Sequence, residues 1–277
     1  MAAFLRAFLR RWTTPVGVLL LLLVVGMALS ATLLTGEDPW DMVTRPLQWP
    51  GENPKFPLGS DQLGRDVAAG ILHGARVSLL IGLAATAAAL VLGILVGALA
   101  GYYGGLADDL LMRVTEAFQT VPPFIFTIVI VTLLVPSVAT VVAAIALVSW
   151  PTVARLTRAE FLALREREFV QSCHALGMGD LRIMLTQMLP NALAPIIVTG
   201  SIMVATAILT ESALSFLGLG DPNVMSWGTM IGAARDLLRS AWYLTAIPGV
   251  AILVTVLALN LIGEGLNDAL NPRLRNR

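Results

Sequence analysis

The chain has 277 residues, 57% of them hydrophobic and only 13% charged, and its mean hydropathy is +0.81. A soluble domain is about 45–50% apolar and about 25% charged, so too little polar material is present to cover a water-facing surface, and the composition reads as an all-α polytopic membrane protein. Eighteen basic and eighteen acidic residues cancel, which leaves no basic field for nucleic acid, and the single cysteine, Cys173, excludes an internal disulfide.

A membrane helix needs about 20 largely apolar residues, so stretches without Asp, Glu, Lys or Arg mark the expected spans. They run over 12–36, 77–107, 117–154, 191–210 (continuing past Glu211 towards Gly218) and 240–263. The third is too long for one crossing, and Pro136-Ser137 near its middle predicts a tight hairpin between two short helices, which brings the total to six spans. Arg10-Arg11 and Ala28-Leu29-Ser30 also fit the basic region and cleavage site of a signal peptide, which would leave five spans. The apolar run extends through Leu34, longer than a signal core, and this favours a retained anchor. The chain thus divides into a tail and first helix at 1–35, an outer (periplasmic) segment at 36–76 and a five-helix core at 77–277.

With the N-terminus inside, twelve of the eighteen basic residues fall on the inner face. They include Arg6, Arg10, Arg11, Arg113, five arginines between Arg155 and Arg182, and Arg273, Arg275 and Arg277. The positive-inside rule therefore places both termini in the cytoplasm. The outer segment is rich in Pro and Trp, which resists regular structure, and residues 66–76 after it read as a short helix near the outer surface. A second outer loop covers 218–239; Trp227 and Trp242 in this region read as interfacial anchors. Gly82, Gly93, Gly97 and Gly101 suit close helix packing in the second span.

The inner segment at about 160–190 is the most informative. Residues 165–176 read as a helix with an apolar stripe of Phe169, Val170, Cys173 and Leu176, ended by Gly177. Asp180 is placed to cap a second helix bearing Leu181, Met184, Leu185 and Met188, and Pro190 to end it and begin the fifth span. Two short helices meeting at a glycine and continuous with membrane helices form an elbow through which a partner could move the spans; a solvated loop with amphipathic helices fits the same residues.

No energy source is visible. A phosphate-cradling Gly-x-x-x-x-Gly-Lys loop is impossible, because the only lysine is Lys55, between Pro54 and Phe56. Glu116 and Glu211 are the carboxylates expected within span depth, too few for an ion-coupled pathway. Glu211 needs a hydrogen-bonding partner or water, and its position favours holding the Gly218–Gly220 turn over touching a solute. His73 and His174 lie on opposite faces and make no metal site, and no Ser–His–Asp set can be drawn, so neither a catalytic residue nor a metal ligand is expected.

Gln171-Ser172-Cys173, three residues, Gly177, and then Gln187-Met188-Leu189-Pro190 resemble the coupling loop of ABC importer permeases. The pattern there is Glu-Ala-Ala, three residues, Gly, nine residues, and Ile-x-Leu-Pro. This chain departs at Gln171, Ser172, Cys173 and Gln187 and keeps Gly177, Leu189 and Pro190; the absent carboxylate at Gln171 removes a charge contact. Residues 57–67, with Leu58, Gly59, Asp61, Gly64, Arg65 and Asp66, look like the outer motif of the C-type permeases of dipeptide, oligopeptide and nickel importers. Gly101-Tyr102-Tyr103-Gly104-Gly105, residues 213–220, Ser226-Trp227-Gly228, 259–263 and Asn271-Pro272-Arg273 follow as in that family, so the resemblance covers 12–273.

The resemblance implies a type I ABC importer permease fold in the bacterial inner membrane, half of a pathway completed by a homologous B-type permease. It implies two ATPase subunits, which carry the ATP and magnesium and dock on Gln171, Ser172, Cys173, His174, Ala175, Leu176, Gly177, Asp180, Leu189 and Pro190. A solute-binding protein is implied outside, delivering peptides, with nickel or another small solute as the alternative within the family. An ion-coupled secondary transporter, or a scaffold without transport, is the reading from other classes.

Overall fold

The computed structural model describes Phe8, residues 11–36 and residues 38–270, and among these there is no β-strand, only isolated bridges such as Ser60 with Asp66. The expected inner arginines Arg6, Arg10, Arg273, Arg275 and Arg277 lie outside the described residues.

Helix α1 (Thr13–Leu34) is apolar on all sides and at 22 residues spans about 33 Å, enough to cross a bilayer. It leans on the C-terminal helix: a Cβ on Gly17 would stand 2.7 Å from Leu261 Cβ. Helix α2 (Val67–Tyr103) absorbs the short surface helix expected at 66–76. Asp66 caps it by accepting from the Ala68 amide at 2.9 Å, Gly104 ends it at φ 66°, and no proline intervenes. Arg76, which set the expected start at 77, sits inside this helix because its guanidinium donates to the backbone carbonyls of Ala28 and Leu29 and to Thr32 Oγ1 on α1.

The long uncharged stretch resolves differently from expectation on both sides of its hairpin. Helix α3 (Gly105–Gln119) and helix α4 (Pro123–Leu133) are bent by 82° at Thr120 to Pro122, where two consecutive prolines forbid a continuous hydrogen-bond ladder. The turn at Pro136-Ser137 is where expected, with Ser137 Oγ accepting from the Thr140 amide at 3.1 Å. Helix α5 (Val138–Arg165) then runs past Ala154, taking Arg155 and Arg158 into the same helix.

Helix α6 (Glu168–Ala175) is separated from α5 by a turn at Glu166 and Arg167, so Arg165 belongs to the helix before. Helix α7 (Asp180–Phe216) is continuous: Pro190 breaks nothing, because a π-helical turn at Met184–Met188 precedes it and widens the ladder where the ring lacks its N–H. The second outer loop contains helix α8 (Trp227–Ala234), opened by a capping box of Ser226 and Thr229, and helix α9 (Tyr243–Leu270) follows. Among the described residues five helices are long and apolar enough to cross a membrane, or six where the bent α3–α4 pair counts as one span.

Helix α2 is the axis of the bundle, packed along α5 on one side and α7 on the other, while α1 and α7 flank α9. Gly93, Gly97 and Gly101 put one bare stripe of α2 against α5: a Cβ on Gly93 would lie 2.5 Å from Val153 Cβ, and one on Gly101 would lie 2.7 Å from the Arg158 carbonyl. Gly82 makes the corresponding approach to Ile208 of α7. Backbone approach of this kind supplies dispersion contact where lipid offers no hydrophobic drive between helices.

Candidate functional site: the inner elbow and its outer counterpart

Elbow geometry begins at Arg165, whose Nη1 donates to the Tyr102 carbonyl at 3.1 Å and ties the end of α5 to the end of α2. The turn between α6 and α7 closes with Met178 N–H donating to the Cys173 carbonyl at 3.1 Å and Gly177 at φ 74°, a conformation that costs a glycine little. Asp180 does not cap its helix as expected. Gly179 occupies the cap position, and the Asp180 carboxylate accepts from the Tyr102 hydroxyl at 2.8 Å, so the second arm is also fastened to α2.

Burial splits the expected stripes in two. Val170, Ile183, Met184 and Met188 are buried in a cluster with Tyr102, Phe161 and Ala192, and Cys173 packs partly against it as a small core residue. Phe169, Leu176, Leu181 and Leu185 are instead 39%, 81%, 68% and 53% exposed, so half of each amphipathic pattern faces away from the bundle. Gln171, Ser172, His174, Ala175, Gly177 and Pro190 share that outward exposure, whereas Leu189 is half-buried. Ser172 Oγ is turned back onto the Glu168 carbonyl at 2.9 Å. The elbow is therefore a rigid part with an uncovered apolar face, its inner side bolted to α2, α5 and α7.

On the outer side, the segment before α2 has no regular elements and is held by turns, as its composition predicts. Asp61 Oδ1 accepts from the amides of Leu63 at 2.8 Å and Arg65 at 2.9 Å, while the Arg65 guanidinium lies 4.5 Å over the Trp40 ring. The Asp61–Arg65 ion pair is loose, at 4.0 Å. Gly59 and Gly64 take φ near 80° with their backbones pressed on the carbonyls of Gln48 and Thr44. Leu58, half-buried, packs on the cluster of α1, α2 and α9. The Tyr243 hydroxyl at the start of α9 reaches the carbonyls of Gln48 and Ser60, each at 2.9 Å. The motif thus acts as one folded plug seated on the outer helix ends.

Glu211 is only 2% exposed, near the outer end of α7. Its Oε1 accepts from Ser215 Oγ at 2.8 Å and from Ser226 Oγ at 2.6 Å, and its Oε2 from Ser212 Oγ at 3.4 Å. Ser226 also accepts from the Thr229 amide, so the carboxylate sits at the N-terminus of α8, where the helix dipole favours negative charge. A Cβ on Gly228 would meet Ser212 Cα at 2.6 Å, which shows how tightly α8 rests on α7. Neighbouring Ser212 and Ser215 were visible in the sequence; Ser226, fifteen residues on, was not, because no local pattern links a cap serine to a distant carboxylate. Trp227 is corrected from an interfacial anchor to a core residue: it is fully buried, its indole N–H donates to the Ile71 carbonyl at 3.0 Å, and its amide donates to Ser78 Oγ at 3.2 Å. Trp242 is 57% exposed and stacks edge-on with Trp49.

Residues 89–276 match the family described as binding-protein-dependent transport system inner membrane component. The chain is 42% identical over 266 residues to the di/tripeptide transport system permease protein DppC of Pseudomonas aeruginosa (strain UCBPP-PA14), covering 94% of this chain and 88% of that one. It is 38% identical to the dipeptide transport system permease protein DppC of Haemophilus influenzae, with 94% and 90% covered. It is also 35% identical to the glutathione transport system permease protein GsiD of Pectobacterium atrosepticum, with 99% and 91% covered. In fold it resembles a chain of the MetNI methionine ABC transporter solved in an inward-facing conformation, at a TM-score of 0.60 and 16% identity, covering 73% of this chain and 96% of that one. The bundle of spans, the family match over most of the chain and these identities agree: the chain belongs to the binding-protein-dependent transport system inner membrane components, the ABC importer permeases.

Proposed function

We propose that this chain is one of two permeases in an ATP-driven importer of di- and tripeptides, oriented with both termini in the cytoplasm. The relatives named for dipeptide, di/tripeptide and glutathione transport, the last a tripeptide, support this substrate class over a metal or another small solute. A homologous permease completes the pathway, a solute-binding protein delivers peptide to the outer face, and two ATPase subunits supply ATP and magnesium chemistry from below.

The observation that carries the reading is the elbow. Four large apolar side chains, Phe169, Leu176, Leu181 and Leu185, stand uncovered on a part whose opposite side is fixed to three spans. Exposed apolar surface of this kind marks a protein contact, and the bolted backing lets force applied there reach α2, α5 and α7. Gln171, Ser172 and His174 are exposed on the same helix as Phe169 and add polar groups to that side of the elbow. On the outer face, the folded plug of Leu58, Gly59, Asp61, Gly64, Arg65 and Asp66 presents the surface against which a binding protein docks. Reconstitution tests the reading: the complex co-purified with this chain takes up labelled dipeptide into liposomes only with ATP and the solute-binding protein. Uptake by this chain alone under an ion gradient, without ATP, would refute it in favour of a secondary transporter.

A further inference from the structure

The corner between α3 and α4 carries main-chain groups that the chain itself does not satisfy. In an unbroken helix the carbonyls of Phe118 and Gln119 would accept from the amides four residues on, but those residues are Pro122 and Pro123, which have no N–H. No described residue donates to either carbonyl in their place. Across the corner, the amides of Phe124 and Ile125 in the first turn of α4 find no acceptor among the described residues. Carbonyls at the end of α3 point onward along that helix, and amides at the start of α4 point back along theirs. At a bend of 82° both sets therefore open on the convex side of the corner. Residues 120–125 are all exposed.

The corner lies at membrane depth. Helix α3 starts beside the inner end of α2, and the hairpin after α4 leads into the outer end of α5, so the bend falls between the two faces. Phe118 meets the Trp150 ring edge-on at 5.3 Å and meets Phe126, on the other arm, at 5.9 Å. Trp150 is about 18 Å of helix from the outer end of α5 and about 22 Å from its inner end, within the stretch 117–154 that carries no charge. Its side chain is 4% exposed, and its indole N–H also lacks an acceptor among the described residues. Lipid cannot hydrogen-bond to main-chain groups, so broken backbone at this depth is covered by protein or lines a water-filled passage. A helix of a partner subunit has its own main chain already paired and offers none to the corner. An extended peptide offers free N–H and C=O groups, the chemistry by which a strand joins a sheet edge.

We propose that the α3–α4 corner is a main-chain recognition point on the solute path: the Phe118 and Gln119 carbonyls accept from the N–H groups of a passing peptide, and the Phe124 and Ile125 amides donate to its carbonyls. The inference rests on the peptide-import reading and adds to it how one path accepts side chains of different size and charge. Phe118, Phe126 and Trp150 brace the corner in its bent form.

The test uses the complete wild-type complex, nucleotide-free and without solute-binding protein, and a dipeptide carrying a diazirine side chain at millimolar concentration. Photolabelling is expected on residues 118–125. Unlabelled dipeptide should compete with it, and the isosteric ester, which lacks only the peptide N–H, should compete at least about fivefold more weakly. Pro122→Ala with Pro123→Ala returns two amides to the helix ladder and should reduce labelling at least about tenfold while the ATPase subunits still co-purify. ATP-driven uptake of the dipeptide, with solute-binding protein, is measured in parallel. An assembled complex that takes up no peptide refutes the import reading and the corner with it. A complex that transports dipeptide but shows no label on residues 118–125, or equal competition by the ester, overturns the corner alone. Because the labelling and the competition use wild-type protein, neither result depends on a variant folding.

Discussion

Replacing Gly97 with alanine adds one methyl group at the tightest crossing in the molecule. Its Cβ would stand 2.8 Å from Thr157 Cβ and closer still to the Ala154 carbonyl oxygen, where about 3.5–4.0 Å is comfortable. Helices α2 and α5 must therefore part by about 1 Å over a seam that also includes Gly93 and Gly101. A gap of that size forfeits roughly a quarter to a half of each contact's attraction, and with about 20 atom pairs at ~0.15 kcal/mol each the loss is about 0.75–1.5 kcal/mol. Strain against the Ala154 backbone adds to it, within the roughly 1–3 kcal/mol typical of overpacking. Alanine is also the better helix former, by roughly 0.5–1 kcal/mol, so the net expectation is a destabilisation of about 1–2 kcal/mol. Gly249 in α9 is the control: nothing lies within 4 Å of its added Cβ, so Gly249→Ala should stabilise by the propensity term alone. Unfolding in mixed detergent micelles, followed by circular dichroism, should place the two variants on opposite sides of wild type. If Gly97→Ala matches or exceeds wild type, the close-approach account of the α2–α5 seam is wrong.

Glu211→Gln keeps an acceptor for Ser215 and Ser226 and should cost about 1 kcal/mol, whereas Glu211→Ala leaves two buried hydroxyls and a void and should cost about 2–4 kcal/mol; thermal unfolding in detergent reads the difference. Tyr102→Phe removes the hydroxyl that holds Asp180, a loss of roughly 0.5–1.5 kcal/mol, and hydrogen exchange should then rise at residues 176–183 while α2 stays protected; unchanged exchange there would mean that the bond holds nothing. Leu181→Ser with Leu185→Ser should leave helix content intact, since both side chains are exposed, yet reduce recovery of ATPase subunits in co-purification at least about tenfold; full recovery would move the docking surface elsewhere.

The sequence was most legible where one residue type can do only one thing. Pro136-Ser137 marked a hairpin because neither residue continues a helix there, and the glycines of α2 marked a close seam because nothing larger fits. It was least legible where long-range pairing overrides a local rule. Arg76 set a false helix start, since a charge-free window cannot foresee that α1 carbonyls receive its guanidinium, and at Arg155 the charge did not end the helix, which runs on to Arg165. Pro190 read as a stop because the π-helical turn that accommodates it leaves no sequence signature. At the elbow, helical spacing found the apolar positions but could not say which were covered: Val170 is fully buried while Leu176, six residues on, is 81% exposed. Asp180 and Ser226 owe their roles to Tyr102 and Glu211, 78 and 15 residues away, which no local motif encodes.

The continuity of α7 has a mechanical side. Its 37 residues make a rod of about 55 Å with one end in the elbow and the other at the Glu211 clamp. A rod pivoting at its middle by 5° displaces each tip by roughly 2.4 Å in opposite senses, given that length. That is more than half of the roughly 3.5–4.0 Å separation of packed carbon atoms, enough to open or close a helix seam, and it needs no intervening loop to relay it. Any give in the rod concentrates at the π-helical turn, where the ladder is already loosened, so Met184–Met188 sets how much of a displacement at the elbow arrives at the Glu211 clamp.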